Sequence, residues 1–215
     1  MLIWFDIETV LLGIRGDGRK KEVSVPLNIN RAETLENLVN GNKSFLKKAD
    51  RKLLRGLSEK GQKPIATVVS CSDSRVPVEI IFDQLEPGRL FVIRIAGNIV
   101  AEPGVIGSIE YAIEHLRTPY IVVLGHTECG AIKARLAGVS EGDIGKLIAH
   151  VKIKSKELNQ AIKENVRLQV KNVLKITCVK ERLEKGELEI YGMLYDLSTG
   201  EISILSNSKA KAYKR

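Results

Sequence analysis

The chain has 215 residues, 44% hydrophobic and 28% charged, a composition that suits one globular domain with added arms. Its longest apolar runs fall far short of the roughly 20 residues of a membrane helix, and its three cysteines do not make a disulfide framework, which a chain of this length does not need. The formal net charge of +8 is spread along the chain and interleaved with Glu, and the few aromatics do not alternate with basic runs, so no nucleic-acid face is expected.

Residues 1–30 read as an N-terminal extension and 31–215 as a single α/β domain. The opening stretch is apolar, but Asp6 and Glu8 interrupt it. It has neither a basic start nor a small-residue cleavage site, so it is not read as a signal peptide, and cytoplasmic residence is expected. A helical arm follows. Asn30 with Glu33 resembles a capping box, and Ala32, Leu35, Leu38 and Val39 recur at helical spacing. The NGN at 40–42 is expected to interrupt or end that helix, with a basic helical stretch running on to about Glu59.

Three β-branched apolar runs come next: IATVVSC (65–71), LFVIRIAG (90–97) and YIVVLGH (120–126). Continuous runs of this kind suit strands covered on both faces. Between the second and third, Val105, Ile109, Ala112, Ile113 and Leu116 mark one face of a helix over 104–116. Residues 163–175 form another amphipathic helix. Residues 186–205 read as two strands joined at STG, a hairpin at a sheet edge. The expected fold is therefore α/β: a mostly parallel central sheet flanked by helices, with a C-terminal hairpin at the edge and an N-terminal helical arm.

Cys71 ends the first strand, His126 ends the third, and Cys129 follows three residues later in GHTECGA. In open parallel sheets, ligands bind beyond the carboxyl ends of the strands. The topology thus brings two thiols and one imidazole to one rim, a three-ligand set of the kind that holds Zn²⁺. A second reading starts from CGAIKAR, Cys129 to Arg135. It has the Cys-x5-Arg spacing of cysteine phosphatases in a strand, loop, helix context. It leaves Cys71, Asp73 and Arg75 without a role. Cys178, in an amphipathic stretch, reads as a core or helix thiol.

SCSDSRVP, RIAGNIV, SIEYAIEHL, GHTECGA and the C-terminal GMLYDLSTGEI resemble the signature segments of the β-class carbonic anhydrases. The likeness runs from about Leu35 to Leu205. The resemblance implies one Zn²⁺ per subunit, held by Cys71, His126 and Cys129. It implies an Asp73–Arg75 dyad, and a Gln62 that hydrogen-bonds substrate. Phe91, Ala96, Tyr111 and Gly130 would line the substrate pocket, with Gln62, Phe91 and Tyr111 serving a neighbouring subunit's zinc in a homodimer or homotetramer. The implied activity is reversible hydration of carbon dioxide to bicarbonate and a proton by zinc-bound hydroxide. The alternatives are a hydrolase of carbonyl sulfide or carbon disulfide on the same scaffold, and a non-catalytic zinc or bicarbonate binder. Two thiolates donate more charge to zinc than imidazoles do, so hydroxide needs help. Asp73 would accept its hydrogen bond, and Arg75 would keep Asp73 ionised and aimed. Freed from Arg75, Asp73 is able to become a fourth ligand and close the site. His115, four residues after Tyr111, is the candidate proton relay. Glu128, between two ligands, is an extra carboxylate expected to face solvent.

Overall fold

The computed structural model describes residues 31–209. The 1–30 extension and the Asn30 capping box lie outside the described residues. The chain divides into two compact units, one ending at Gly61 and one beginning at Gln62.

In the first unit, α1 (Arg31–Lys48) is followed by α2 (Arg51–Lys60). The NGN stretch neither interrupts nor ends α1, contrary to expectation. Gly in a helix costs only about 1 kcal/mol relative to Ala, and neither Gly nor Asn removes an amide donor as Pro does. The break comes at Asp50 instead. Its carboxylate accepts from the N–H groups of Lys52 and Leu53 at 2.8 and 3.1 Å and starts α2.

The second unit alternates strands and helices. Its first half holds β1 (Ala66–Ser70), α3 (Val78–Ile81), β2 (Leu90–Arg94), α4 (Pro103–Glu114) and β3 (Tyr120–His126). Its second half holds α5 (Gly130–Leu136), α6 (Gly142–Ile148), α7 (Leu158–Val173), α8 (Thr177–Glu184), β4 (Glu189–Tyr195) and β5 (Ile202–Ser208). The five strands form one sheet in the order β2-β1-β3-β4-β5. The first four pair in parallel and β5 closes the edge antiparallel to β4. The expected mostly parallel sheet with a terminal hairpin is what forms.

The run read as a strand over 90–97 stops at Arg94. Gly97 (φ 70°) and Asn98 (φ 48°) are consecutive left-handed residues, and they fold 96–98 into a 3₁₀ turn. Short α3, α6 and α8 were not expected, because pieces of four to eight residues carry too little periodicity to read.

Alternation along β1 and β3 feeds two cores. Val69, Ile121 and Val123 pack with Val105, Ile109 and Ile113 of α4 and with Val166, Val170 and Val173 of α7. Val68, Val122 and Leu124 face the other way, onto Val76 and Val78. Each fully buried Val or Ile contributes about 1.5–3 kcal/mol. Two glycines let α7 settle close to the sheet. A Cβ on Gly125 would collide with Val166 Cγ2, and one on Gly192 would lie 3.0 Å from Val170 Cγ2. Among the described residues, no helix is long and apolar enough to cross a membrane.

Candidate metal centre

β1 and β3 are neighbours, with Ser70 opposite Leu124. Cys71 and His126 therefore leave the sheet side by side. After His126 the chain must turn back sharply. Glu128 does this in a left-handed conformation (φ 60°), unusual for a non-glycine residue. The turn is tied to the end of β4, since Thr127 N–H donates to Tyr195 O and Leu197 N–H to Thr127 Oγ1. Cys129 then sits at the start of α5, facing Cys71 and His126. The two sulfurs and an imidazole nitrogen lie within 4.8 Å of one another, all buried.

His126 Nδ1–H donates to Thr127 O at 2.8 Å. That bond sets the tautomer and turns the Nε2 lone pair inward. Nε2 is buried and has no hydrogen-bond partner among the described residues. An orphaned acceptor is costly to bury, and facing two thiols it fits a soft divalent cation. The thiols share one ionisation between them. Cys71 is lowered to about 4 chiefly because the Cys129 S–H donates to it, with help from the Gly97 amide. The same pairing, followed by burial, pushes Cys129 up.

The adjoining loop answers which way Asp73 faces. Arg75 grips both carboxylate oxygens, Nε on Oδ1 at 2.9 Å and Nη2 on Oδ2 at 2.7 Å, and its own N–H donates to Oδ1 at 3.0 Å. Hydrogen bonding by Arg75 holds the Asp73 carboxyl at about 2, below the usual carboxylate range. Asp73 Oδ2 still lies 3.7 Å from His126 Nε2. Arg75 reaches across to Glu128 O at 3.4 Å, and the exposed Glu128 carboxylate pairs with Lys133.

Sequence reading missed Arg94. Its Nε donates to Cys71 O at 3.1 Å and its Nη2 to Asp73 O at 2.5 Å, so one guanidinium clamps the loop that carries both residues. An arginine ending the apolar run LFVIR was the available signal. Ala96 and Gly130 flank the cluster: Ala96 precedes Gly97, whose N–H donates to Cys71 Sγ at 3.3 Å, and Gly130 follows Cys129. Gln62 is exposed at the opposite end of β1. Phe91, Tyr111 and His115 gather elsewhere, with ring centroids 6.1 Å apart for Phe91–Tyr111 and 5.1 Å for Tyr111–His115. Arg135, which the phosphatase reading needs over Cys129, donates instead to Val151 O at 3.0 Å. Cys178 lies apart in α8, its thiol raised by burial.

A family model described as carbonic anhydrase matches residues 66–202. Carbonic anhydrase 2 of Mycobacterium tuberculosis is 38% identical over 154 residues, which cover 65% of this chain and 73% of that protein. The solved β-carbonic anhydrase CcaA superposes with a TM-score of 0.73 at 31% identity, covering 80% of this chain and 94% of that one. A tetrameric β-carbonic anhydrase of Sordaria macrospora gives 0.72 at 26% identity, over 81% of this chain and 98% of that one.

Proposed function

Since the chain belongs to the β-class carbonic anhydrases, a family of enzymes, we propose that it catalyses the zinc-dependent reversible hydration of carbon dioxide to bicarbonate and a proton. The observation that carries this reading is the buried Cys71–His126–Cys129 donor set, with its orphaned Nε2, beside a carboxylate locked by arginine. Cys71, His126 and Cys129 would hold one Zn²⁺ per subunit, which supplies the Lewis acidity that makes water a competent nucleophile near neutral pH.

The remaining work falls to the chain's own side chains. Asp73, kept ionised by Arg75, has no proton to donate, so it accepts a hydrogen bond from the attacking water. It thereby aims the water's lone pair at the carbon. Arg75 also keeps Asp73 off the donor set, and release of that fork is what would let Asp73 become a fourth ligand. Gln62 donates its amide N–H to a substrate oxygen, where negative charge develops. Phe91, Ala96, Tyr111 and Gly130 line the pocket, and His115 passes the proton outward. Gln62, Phe91 and Tyr111 serve the site of a neighbouring subunit in a homodimer or homotetramer, and the enzyme works in the cytoplasm. Two facts support the assembly: the tetrameric relative, and the distance in this chain between the aromatic group and the donor set.

Stopped-flow hydration of carbon dioxide across pH, with zinc measured on the same sample, is the test. We expect activity proportional to zinc content and lost on chelation. Full zinc occupancy without activity at any pH would overturn the reading. Turnover of carbonyl sulfide or carbon disulfide by such a sample would point to the analogue hydrolase.

A further inference from the structure

Helix α7 carries Asn165, Gln169 and Asn172 at i, i+4 and i+7, on one helical face. Asn165 and Gln169 are buried, at 1% and 0% exposure. Such polar side chains are placed in an interior only where partners satisfy them. Here the partners form a continuous ladder. Lys175 Nζ donates to Asn172 Oδ1 at 3.0 Å, and Asn172 Nδ2 donates to Gln169 Oε1 at 3.0 Å. Gln169 Nε2 donates to Asn165 Oδ1, and Asn165 Nδ2 to Gly97 O, both at 2.9 Å. Gln169 Oε1 also takes the Val100 N–H at 2.9 Å.

Two backbone groups dictate the direction of this ladder. Val100 N–H can only donate, so Gln169 must present its oxygen there. Its nitrogen is then left for Asn165 Oδ1, and Asn165 Nδ2 for the Gly97 carbonyl. The ladder therefore grips the 97–100 turn from both sides. That turn holds two left-handed residues in succession, one of them the non-glycine Asn98, and such a conformation persists only where its surroundings impose it. On its far side, Gly97 N–H donates to Cys71 Sγ at 3.3 Å. The close seating of Val166 over Gly125 brings α7 near enough for these amides to reach.

We propose that Gln169 is a positioning residue for the metal centre: with Asn165 it fixes the 97–100 turn so that the Gly97 N–H stays on Cys71 Sγ. The inference rests on the reading of Cys71 as a zinc ligand. An N–H donated to a ligating sulfur draws charge away from it. That offsets part of the excess donation expected of a two-thiolate site and fixes where the sulfur points.

The test uses Gln169→Met and Asn165→Leu, each of which cuts the ladder without touching a proposed ligand. Zinc affinity is measured by chelator competition, and the sulfur-to-metal charge-transfer band is recorded in the cobalt(II)-substituted proteins. We expect affinity to fall about 10–100-fold, as when other supporting hydrogen bonds are lost, and the band to shift. A folded variant with a lower melting temperature but wild-type affinity and band would reduce the ladder to a structural role and overturn the proposal. If neither variant folds, the wild type decides. Scalar coupling between cadmium-113 and the Gly97 amide proton, with slow exchange of the Asn165 side-chain amide, supports the ladder, and no coupling overturns it. A wild type that takes up neither zinc nor cobalt would remove the metal reading itself. Uptake by the wild type with matching variants removes only the role of Gln169.

Discussion

The Cys71–His126–Cys129 set and the Phe91–Tyr111–His115 group use the same sheet in opposite ways. The first stands at the carboxyl ends of the central strands β1 and β3, with His126 only 1% exposed. Its supports include Thr127 O on the imidazole, Gly97 N–H on one sulfur and Arg94 on the loop carbonyls. The second group stands at the edge strand β2 and on α4, where Tyr111 is 46% exposed. Phe91 is opposite Thr67 in the register, four residues before Cys71, which is about 13 Å along an extended strand. Its rings pack on one another and are half open to solvent. The three donors of the inner set come from one chain and are buried in it. The exposed aromatic rings, set apart from it, are the ones proposed to serve a neighbouring subunit.

Removing a member of the inner set should have the largest effect. Cys71→Ala, His126→Ala and Cys129→Ala should each lose stoichiometric zinc and bring hydration to background, read by metal analysis and stopped flow. A variant that kept full zinc would break the three-residue assignment. Asp73→Asn comes next. It should keep zinc and lose about 10²-fold or more in rate, the usual cost of misplacing a reacting group. A rate near wild type would remove Asp73 from the chemistry.

The contrast also accounts for what sequence could and could not reveal. The inner set was legible because β-branched runs mark the strands, and parallel topology then places their carboxyl ends together. Arg94 showed only as a charge ending an apolar run, because its work is done on backbone carbonyls, Cys71 O and Asp73 O, which carry no residue identity. Gln169 was hidden for a related reason: in an amphipathic helix an Asn or Gln reads as part of the wet face, and only the fold shows it buried at 0% exposure. The continuity of α1 through Gly41 was misread because local propensity is weak beside the helix on either side of it. Phe91 and Tyr111 were visible as pocket candidates by resemblance, but no pattern within one chain states which chain's pocket they line.

Mixed assemblies sharpen that last point. A hybrid of a Cys71→Ala subunit with a Tyr111→Ala subunit contains one donor set and one intact aromatic group, on different chains. If the aromatic group serves the neighbour, the hybrid should show about half of wild-type activity per dimer. If it serves its own chain, the hybrid should be no more active than the Tyr111→Ala parent. A smaller effect is expected of Arg94→Met. Loss of two charge-assisted bonds to the 71–73 loop should lower stability by about 1–3 kcal/mol in denaturant unfolding, with zinc still bound.

The smallest effect is a titration within the inner region, and its sign follows from the Asp73–Arg75 fork. Arg75 stabilises the ionised carboxylate, so the folded-state value of Asp73 falls to about 2 from 3.8. A group lowered on folding adds stability that is fully present above its unfolded value and is lost as pH falls through the folded one. Asp73 should therefore remain charged and paired through pH 4 and release Arg75 only as pH falls through about 2. Carbon-13 detection of the Asp73 carboxyl in zinc-free protein reads this directly, and Arg75→Gln should return the midpoint towards an ordinary carboxylate. A wild-type midpoint already near that ordinary value would mean that Arg75 does not hold Asp73 in solution. The choice between facing arginine and facing the metal would then lie with the cation and not with the loop.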